Sequence, residues 1–373
     1  MKAVINALQY KEKSSGIGVM LRELFGPYTR ISGRRCQVIL PHDGPEFPAG
    51  GDVEVIRAPW RHGQGVGRMF FQTFQLGRRY CREAVLLAAD SKIPLLLPKS
   101  CVLIPLVTDL AVYRLKETYQ LSRVVWWRLQ YQYVRRRADL FLAISEFTKG
   151  EMVELLHIPA EKIKVVPCAC CAEMGPVTDR EVLDRLREKY CLPERFVLFV
   201  GNFNPRKNLE RLIRAFDLAK EQGIPHHLVI AGEQGWKFDK ARALEGVRCR
   251  EAIHFIGYVP DEEMAALYSA AEMFSFPSLY EGFGIPVIEA QACGTPVLTS
   301  NNSALPEVGG DGAIYVNAWD IGDICRGMLA VLEDREMARQ LVQKGLENAR
   351  RFSWEASAER LKEIVEGAVN ESG

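Results

Sequence analysis

Short apolar runs alternate with stretches of helical periodicity along almost the whole chain. In the first half the runs fall at 3–7, 37–40, 53–56, 102–107, 140–144 and 163–166, with helical patterns at 19–25, 122–137 and 146–156. A polar break follows at Glu173-Met-Gly-Pro-Val-Thr-Asp179. The alternation then restarts, with strand-like runs at 196–200, 228–231, 253–256, 274–276, 297–299 and 313–316 and a helical pattern at 209–221. The last stretch is helical, and Ser353-Trp-Glu is a start signal for its final helix. Strand and helix in succession predict a parallel sheet covered on both faces. The fold class expected is α/β, as two doubly wound Rossmann-like domains joined near residue 175 and facing across a cleft. That cleft is the expected site of chemistry.

Composition narrows the class. A chain of 373 residues exceeds one ordinary core, and 48% hydrophobic with 25% charged residues is the balance of a globular enzyme. Disordered, collagen-like and small disulfide-bonded chains are excluded. The net charge is only +1, so no global charge attracts polyanions. Residues 1–175 nevertheless hold 25 basic and 16 acidic side chains, while the remainder holds 23 and 31. Such asymmetry fits an anionic partner of the first half, or two halves that neutralise each other. No run reaches the length of a membrane span, and residues 1–8 read as a first strand rather than a leader. Ten cysteines without an export signal suggest free thiols in a reducing, cytoplasmic compartment. Cys168, Cys170 and Cys171 lack the pairing and spacing of a zinc site and read as loop thiols.

The densest chemistry lies in Pro277-Ser-Leu-Tyr-Glu-Gly-Phe-Gly-Ile-Pro-Val-Ile-Glu-Ala-Gln-Ala-Cys-Gly-Thr-Pro296. A strand precedes it, glycines follow Glu281, and Pro286 suits the first turn of a helix that Gly294 closes. A glycine loop opening a helix presents N–H groups and a positive dipole end to an anion such as a diphosphate. Glu281 and Glu289 flank that point and suit hydroxyl-rich groups. In this setting Glu-x7-Glu resembles the signature of retaining glycosyltransferase family 4, of the two-Rossmann GT-B fold, in its mannosyltransferase-like branch. The resemblance runs over essentially the whole chain and is densest from 197 to 354.

The resemblance implies transfer of a hexose from a nucleotide diphosphate with retention at the anomeric carbon. It divides the chain into an acceptor-binding domain at 1–172, with a terminal helix at 355–370 packing back on it, and a nucleotide-sugar-binding domain at 173–354. Lys207 matches the family lysine that holds the leaving diphosphate. Arg206 is the candidate second cation, because Asn202 stands where the family arginine often lies after Gly201. Such cations stabilise charge developing on a leaving group. By resemblance Glu281 binds sugar hydroxyls, Glu289 the ribose, and the backbone of Gly282, Phe283, Gly284 and Ile285 the phosphates. Ser14-Ser-Gly16-Ile-Gly18 resembles the family's glycine loop in the first domain. Leu106-Val-Thr-Asp109 falls where many members carry His-Asp. Thr108 replaces that histidine, and Asp109 is a candidate hydroxyl ligand or a turn and cap residue. Ser145 reads as a helix cap. Cys168 to Cys171 replace the family's Pro-Asn-Gly, and Tyr258 lies near where the base is seated.

No strict Asp-x-Asp occurs, so no metal cofactor is expected. The resemblance implies a nucleotide-sugar donor, GDP- or UDP-linked, with GDP-mannose favoured by similarity to the mannosyltransferase-like branch that carries Pro-Arg-Lys-Asn. The acceptor that the resemblance implies is a glycan or a polyprenyl-diphosphate-linked glycan in polysaccharide assembly. Arg57, Arg61, Arg68, Arg78, Arg79 and Arg82 interleave with Trp60, Phe70, Phe71 and Phe74, and a second such stretch runs from Arg123 through Trp126, Trp127 and Arg128 to Arg137. These read either as peripheral contact with anionic lipid at the inner membrane face, or as core aromatics with arginines in water. Nothing resembles a nucleic-acid-binding module. A non-catalytic nucleotide-sugar binder is the alternative that Thr108 and Asn202 keep open, and an epimerase of related fold is a more distant one.

Overall fold

A computed structural model describes residues 1–11, 16–61, 65–88, 93–235 and 237–371. The chain divides into two units, Met1–Cys168 with Ser353–Gly373, and Ala169–Phe352. The divisions fall a few residues from the expected 172 and 354.

Among the described residues the first unit holds seven parallel strands, β1 (Lys2–Asn6), β2 (Cys36–Leu40), β3 (Val53–Arg57), β4 (Ala84–Ala88), β5 (Val102–Val107), β6 (Phe141–Ala143) and β7 (Ile163–Val165). Their order is β3-β2-β1-β4-β5-β6-β7. Strands β1, β2, β4 and β5 are buried along almost their whole length, as continuous apolar runs in a parallel sheet should be. β4 is the one strand the hydrophobic pattern did not separate. Ala84-Val-Leu-Leu-Ala88 is rich in helix formers and lies between arginine-bearing and leucine-rich segments, so periodicity alone does not mark it. Tertiary position decides instead, because β4 pairs with both β1 and β5. The helix Trp354–Glu371 packs on Phe25–Ile31 within this unit. Its start is capped by Ser353, whose Oγ accepts from the Ala356 N–H at 3.2 Å.

Buried and exposed aromatic side chains occur side by side in the basic-aromatic stretches. Phe71 is fully buried and Tyr131 nearly so. Phe70, Met69 and Phe74 are exposed, and so are Leu121, Val125 and Leu129, which recur every four residues along the helix Leu121–Arg137 and share a face. That helix carries no acidic side chain. No helix among the described residues is long and apolar enough to cross a membrane.

The second unit holds six parallel strands, β8 (Phe196–Val200), β9 (His227–Ala231), β10 (Ile253–Gly257), β11 (Met273–Phe276), β12 (Val297–Ser300) and β13 (Ala313–Val316), in the order β10-β9-β8-β11-β12-β13. The order reverses between β8 and β11. In an open parallel sheet the loops leaving the carboxyl ends of such a pair diverge to opposite faces, and the crevice they leave is where ligands bind. The two loops here are 201–208 and 277–284. The turn from β9 is held against the first of them. Gly232 has φ +135°, and a Cβ there would stand 2.1 Å from the Gly201 carbonyl oxygen, so only glycine fits.

Candidate active site

The loop after β8 runs from Gly201 into a short 3-10 turn, Pro205–Lys207. Asn208 then takes a left-handed conformation, φ +61°, before the helix Leu209–Glu221. Its buried side-chain amide donates to the carbonyls of Pro277 and Ala318, at 2.9 and 2.7 Å. The Leu279 N–H donates to the Arg206 carbonyl at 2.8 Å. These bonds stitch the loop after β8 to the loop after β11 and fix where Arg206 and Lys207 point.

The loop after β11 brings Glu281 to them. Its carboxylate stands 2.8 Å from Lys207 Nζ and 3.3 Å from Arg206 Nη1, and all three side chains are largely buried, at 7%, 13% and 18% exposed. Lys207 Nζ also lies 4.4 Å from the centre of the Phe276 ring. The Glu281 backbone is pinned on both sides: its N–H donates to Ser303 Oγ at 3.0 Å, and its carbonyl accepts from the Ala304 N–H at 3.2 Å. Burial pushes the Glu281 carboxyl up, but Arg206 and Lys207 outweigh it and hold the group below its ordinary range. The cluster is two cations on one carboxylate.

The helix Ile285–Ala292 starts directly after this loop, with Pro286 in its first turn and Gly284 before it at φ +108°. Its opening N–H groups and dipole face this end of the sheet. Glu289 lies one turn in. Burial pushes its carboxyl up to about 7, against the Tyr268 hydroxyl, which donates to Oε2 at 2.8 Å, while Asp261 adds to the rise. Glu289 is therefore ready to hold or release a proton near neutral pH.

Of the candidates read from sequence, Arg206, Lys207 and Glu281 meet in one contact cluster, and Gly282, Gly284, Ile285 and Glu289 continue from it along the loop and helix. Phe283 turns its ring into packing, edge-on to Phe352 with centroids 5.4 Å apart. Gly201 ends β8 with φ +147°. Asn202 is exposed and outside the ion cluster, its carbonyl accepting from Asn204. Tyr258 follows β10 and is 40% exposed. Gly16 and Gly18 begin the helix Gly16–Glu23 of the first unit, while Ser14 and Ser15 lie outside the described residues. Asp109 follows β5 in that unit, and its carboxylate accepts from the Ala111 N–H at 3.0 Å, which is turn-capping geometry. Ser145 caps the helix Glu146–Leu156 through the Thr148 N–H. Cys168 is buried against Met20, which pushes its thiol up to about 12. Sequence reasoning did not single out Asn208, Ser303 or Tyr268. Asparagine before a helix, next to Arg206-Lys207, was the one available signal, since asparagine tolerates the left-handed region.

Residues 184–348, nearly all of the second unit, match the family model described as glycosyl transferases group 1. The second unit is a group 1 glycosyl transferase domain. The chain is 34% identical over 249 residues to O-antigen chain mannosyltransferase B of Escherichia coli, covering 66% of this chain and 65% of that protein. It is also 34% identical over 228 residues to the serotype-specific mannosyltransferase WbdA of Escherichia coli, covering 60% of this chain and 28% of that one. The matched stretch thus spans less than two thirds of either relative. Among solved structures, sucrose-phosphate synthase of Thermosynechococcus elongatus superposes with a TM-score of 0.74 at 19% identity, covering 98% of this chain and 99% of its own. Anabaena HepE, solved with UDP and glucose, gives 0.75 at 18% identity over the same shares. The glycosyl transferase domain and the first unit together have the GT-B fold.

Proposed function

We propose that this protein is a retaining hexosyltransferase that takes mannose from GDP-mannose and adds it to a glycan or lipid-linked glycan in polysaccharide assembly. The observation that carries the donor half of this reading is the buried Arg206–Glu281–Lys207 cluster at the β8/β11 reversal. Two cations on one carboxylate, beside a helix N-terminus, are matched to a diphosphate that gains charge as the sugar departs. Arg206, Lys207 and the backbone from Gly282 to Ile285 take the diphosphate, in this reading without a metal ion. Glu281 holds the two cations in place and meets the sugar hydroxyls. Glu289, with its raised pKa and its tyrosine partner, takes the ribose. The mannosyl identity and the polysaccharide setting are supported by the names of the Escherichia coli relatives. The first unit is assigned the acceptor, and its exposed apolar and basic surface supports contact with the inner, cytoplasmic membrane face.

A thermal-shift titration with GDP, UDP, ADP and their sugar conjugates tests the donor reading, because a ligand that binds only the folded state raises the midpoint. A shift with GDP and GDP-mannose that Lys207→Ala abolishes is the expected result. A shift with UDP alone would move the donor to a UDP-sugar. No shift with any of them would overturn the donor site.

A further inference from the structure

A cavity lies wholly within the first unit, apart in sequence from the Arg206–Glu281–Lys207 cluster. It has a volume of about 110 Å³ and is lined by Arg68, Met69, Gln72, Thr73, Trp126 and Gln130, with Ile93 closing it. Its walls are the segment from Gly65 to Gln75 and the helix Leu121–Arg137. The first of these contains a π-helical turn, Phe71–Gln75. Such turns recur at functional sites.

The lining is chemically divided. Gln72, Thr73 and Gln130 are 4%, 7% and 5% exposed, so three polar side chains form a buried floor. Gln130 Oε1 has no hydrogen-bond donor. Burying an acceptor in that state is costly, and a ligand hydroxyl in the cavity would supply the missing donor. Trp126 and Met69 stand at the mouth, 37% and 48% exposed, with Arg68 beside them. An acyl chain would leave Gln130 Oε1 orphaned. A carboxylate or phosphate brings no donor to it. A cation would meet Arg68. Pockets for drug-sized ligands run roughly 300–1,000 Å³, so the occupant is no larger than a single small group. A neutral polyhydroxylated ring with an apolar C–H face satisfies every wall.

We propose that this cavity is a subsite for one neutral pyranose unit of the acceptor glycan, with its hydroxyls on Gln130, Gln72 and Thr73 and its C–H face on Trp126. The proposal rests on the reading that the acceptor is a glycan, but its test does not use the donor. Methyl α-D-mannopyranoside at millimolar concentration is the probe, and saturation-transfer NMR on the full chain is the readout. Transfer to the ring protons is expected in the wild type, with or without saturating GDP at the donor site. Gln130→Leu and Trp126→Ala should each weaken it about fivefold, the worth of one hydrogen bond or contact of about 1 kcal/mol. Gln130→Leu removes an orphaned acceptor at nearly constant volume, so its melting temperature should stay level or rise while binding falls. Transfer that is insensitive to both cavity variants, transfer abolished by GDP, or no transfer up to tens of millimolar would each overturn the proposal. A nucleotide thermal shift that persists through such a result leaves the donor reading standing.

Discussion

Replacing Glu281 with glutamine keeps the volume and removes the charge. In the folded protein this leaves the Lys207 ammonium and the Arg206 guanidinium, 13% and 18% exposed, without the carboxylate they share at 2.8 and 3.3 Å. Breaking a buried ion pair from one side costs about 3–5 kcal/mol, chiefly because the remaining charge stays desolvated. The partial exposure of both cations places the expected loss near the lower end. For a unit of this size about 1 kcal/mol moves the melting temperature by roughly 2–4 °C, so Glu281→Gln should melt roughly 6–12 °C below the wild type. A nucleotide diphosphate returns negative charge to the same place. Its stabilising shift should therefore be larger in Glu281→Gln than in the wild type, even where the turnover number falls. The ionisation of Glu281 adds a sign. Its folded pKa lies below the ordinary 4.5, so its contribution is present above that value and is lost as pH falls through the lower folded value. The gap between wild type and variant should accordingly narrow in acid. Differential scanning fluorimetry with and without GDP, at neutral pH and in acid, reads all three quantities. A variant that melts within about 2 °C of the wild type with an unchanged nucleotide shift would refute the reasoning, since a carboxylate that restrains two buried cations cannot be removed at so little cost.

Glu289 has the opposite sign. Its folded pKa of about 7 lies above the ordinary 4.5, so its contribution is present below 4.5 and is lost as pH rises through about 7. Wild-type melting temperature should drop across that window by more than that of Glu289→Gln, and parallel curves would count against the assignment. The exposed stripe of Leu121, Val125 and Leu129, on a helix with no acidic residue, should carry the chain to vesicles of anionic phospholipid at low salt in a sedimentation assay. High salt, or Leu121→Ser with Leu129→Ser, should release it, and equal sedimentation with neutral vesicles would refute an electrostatic contribution.

The hydrophobic pattern was enough to lay out twelve of the thirteen strands among the described residues and the doubly wound class, because parallel strands are continuous apolar runs between amphipathic helices. It failed at β4, where Ala84 to Ala88 has the composition of a helix and only its neighbours β1 and β5 make it a strand. The loop-helix character around Gly284 and Pro286 was legible for a similar local reason. The meeting of Glu281 with Arg206 and Lys207 was not. These residues are more than seventy positions apart, and only the reversal of strand order between β8 and β11 brings their loops together. The Asn208 stitch and the Ser303 clasp were hidden in the same way, since each serves a backbone group far along the chain. The π-helical turn was also invisible, because one extra residue in a turn leaves no mark on periodicity.

The first unit is made of two separated pieces of chain, and that has a consequence for biosynthesis. Its closing helix, Trp354–Glu371, lies beyond the whole of the second unit. During translation at roughly 5–20 residues per second, the surface of Phe25–Ile31 that this helix covers waits roughly 10–40 s while Ala169–Phe352 emerges. The continuous second unit can reach its native state on the ribosome in that interval, whereas the first is finished only once Trp354–Glu371 has followed it out. The nascent chain therefore presents an unclosed apolar face next to an already folded neighbour. A chaperone that holds such faces would act on the amino-terminal part of this protein, and truncations that remove Trp354–Glu371 should strand the first unit in that state while sparing the second.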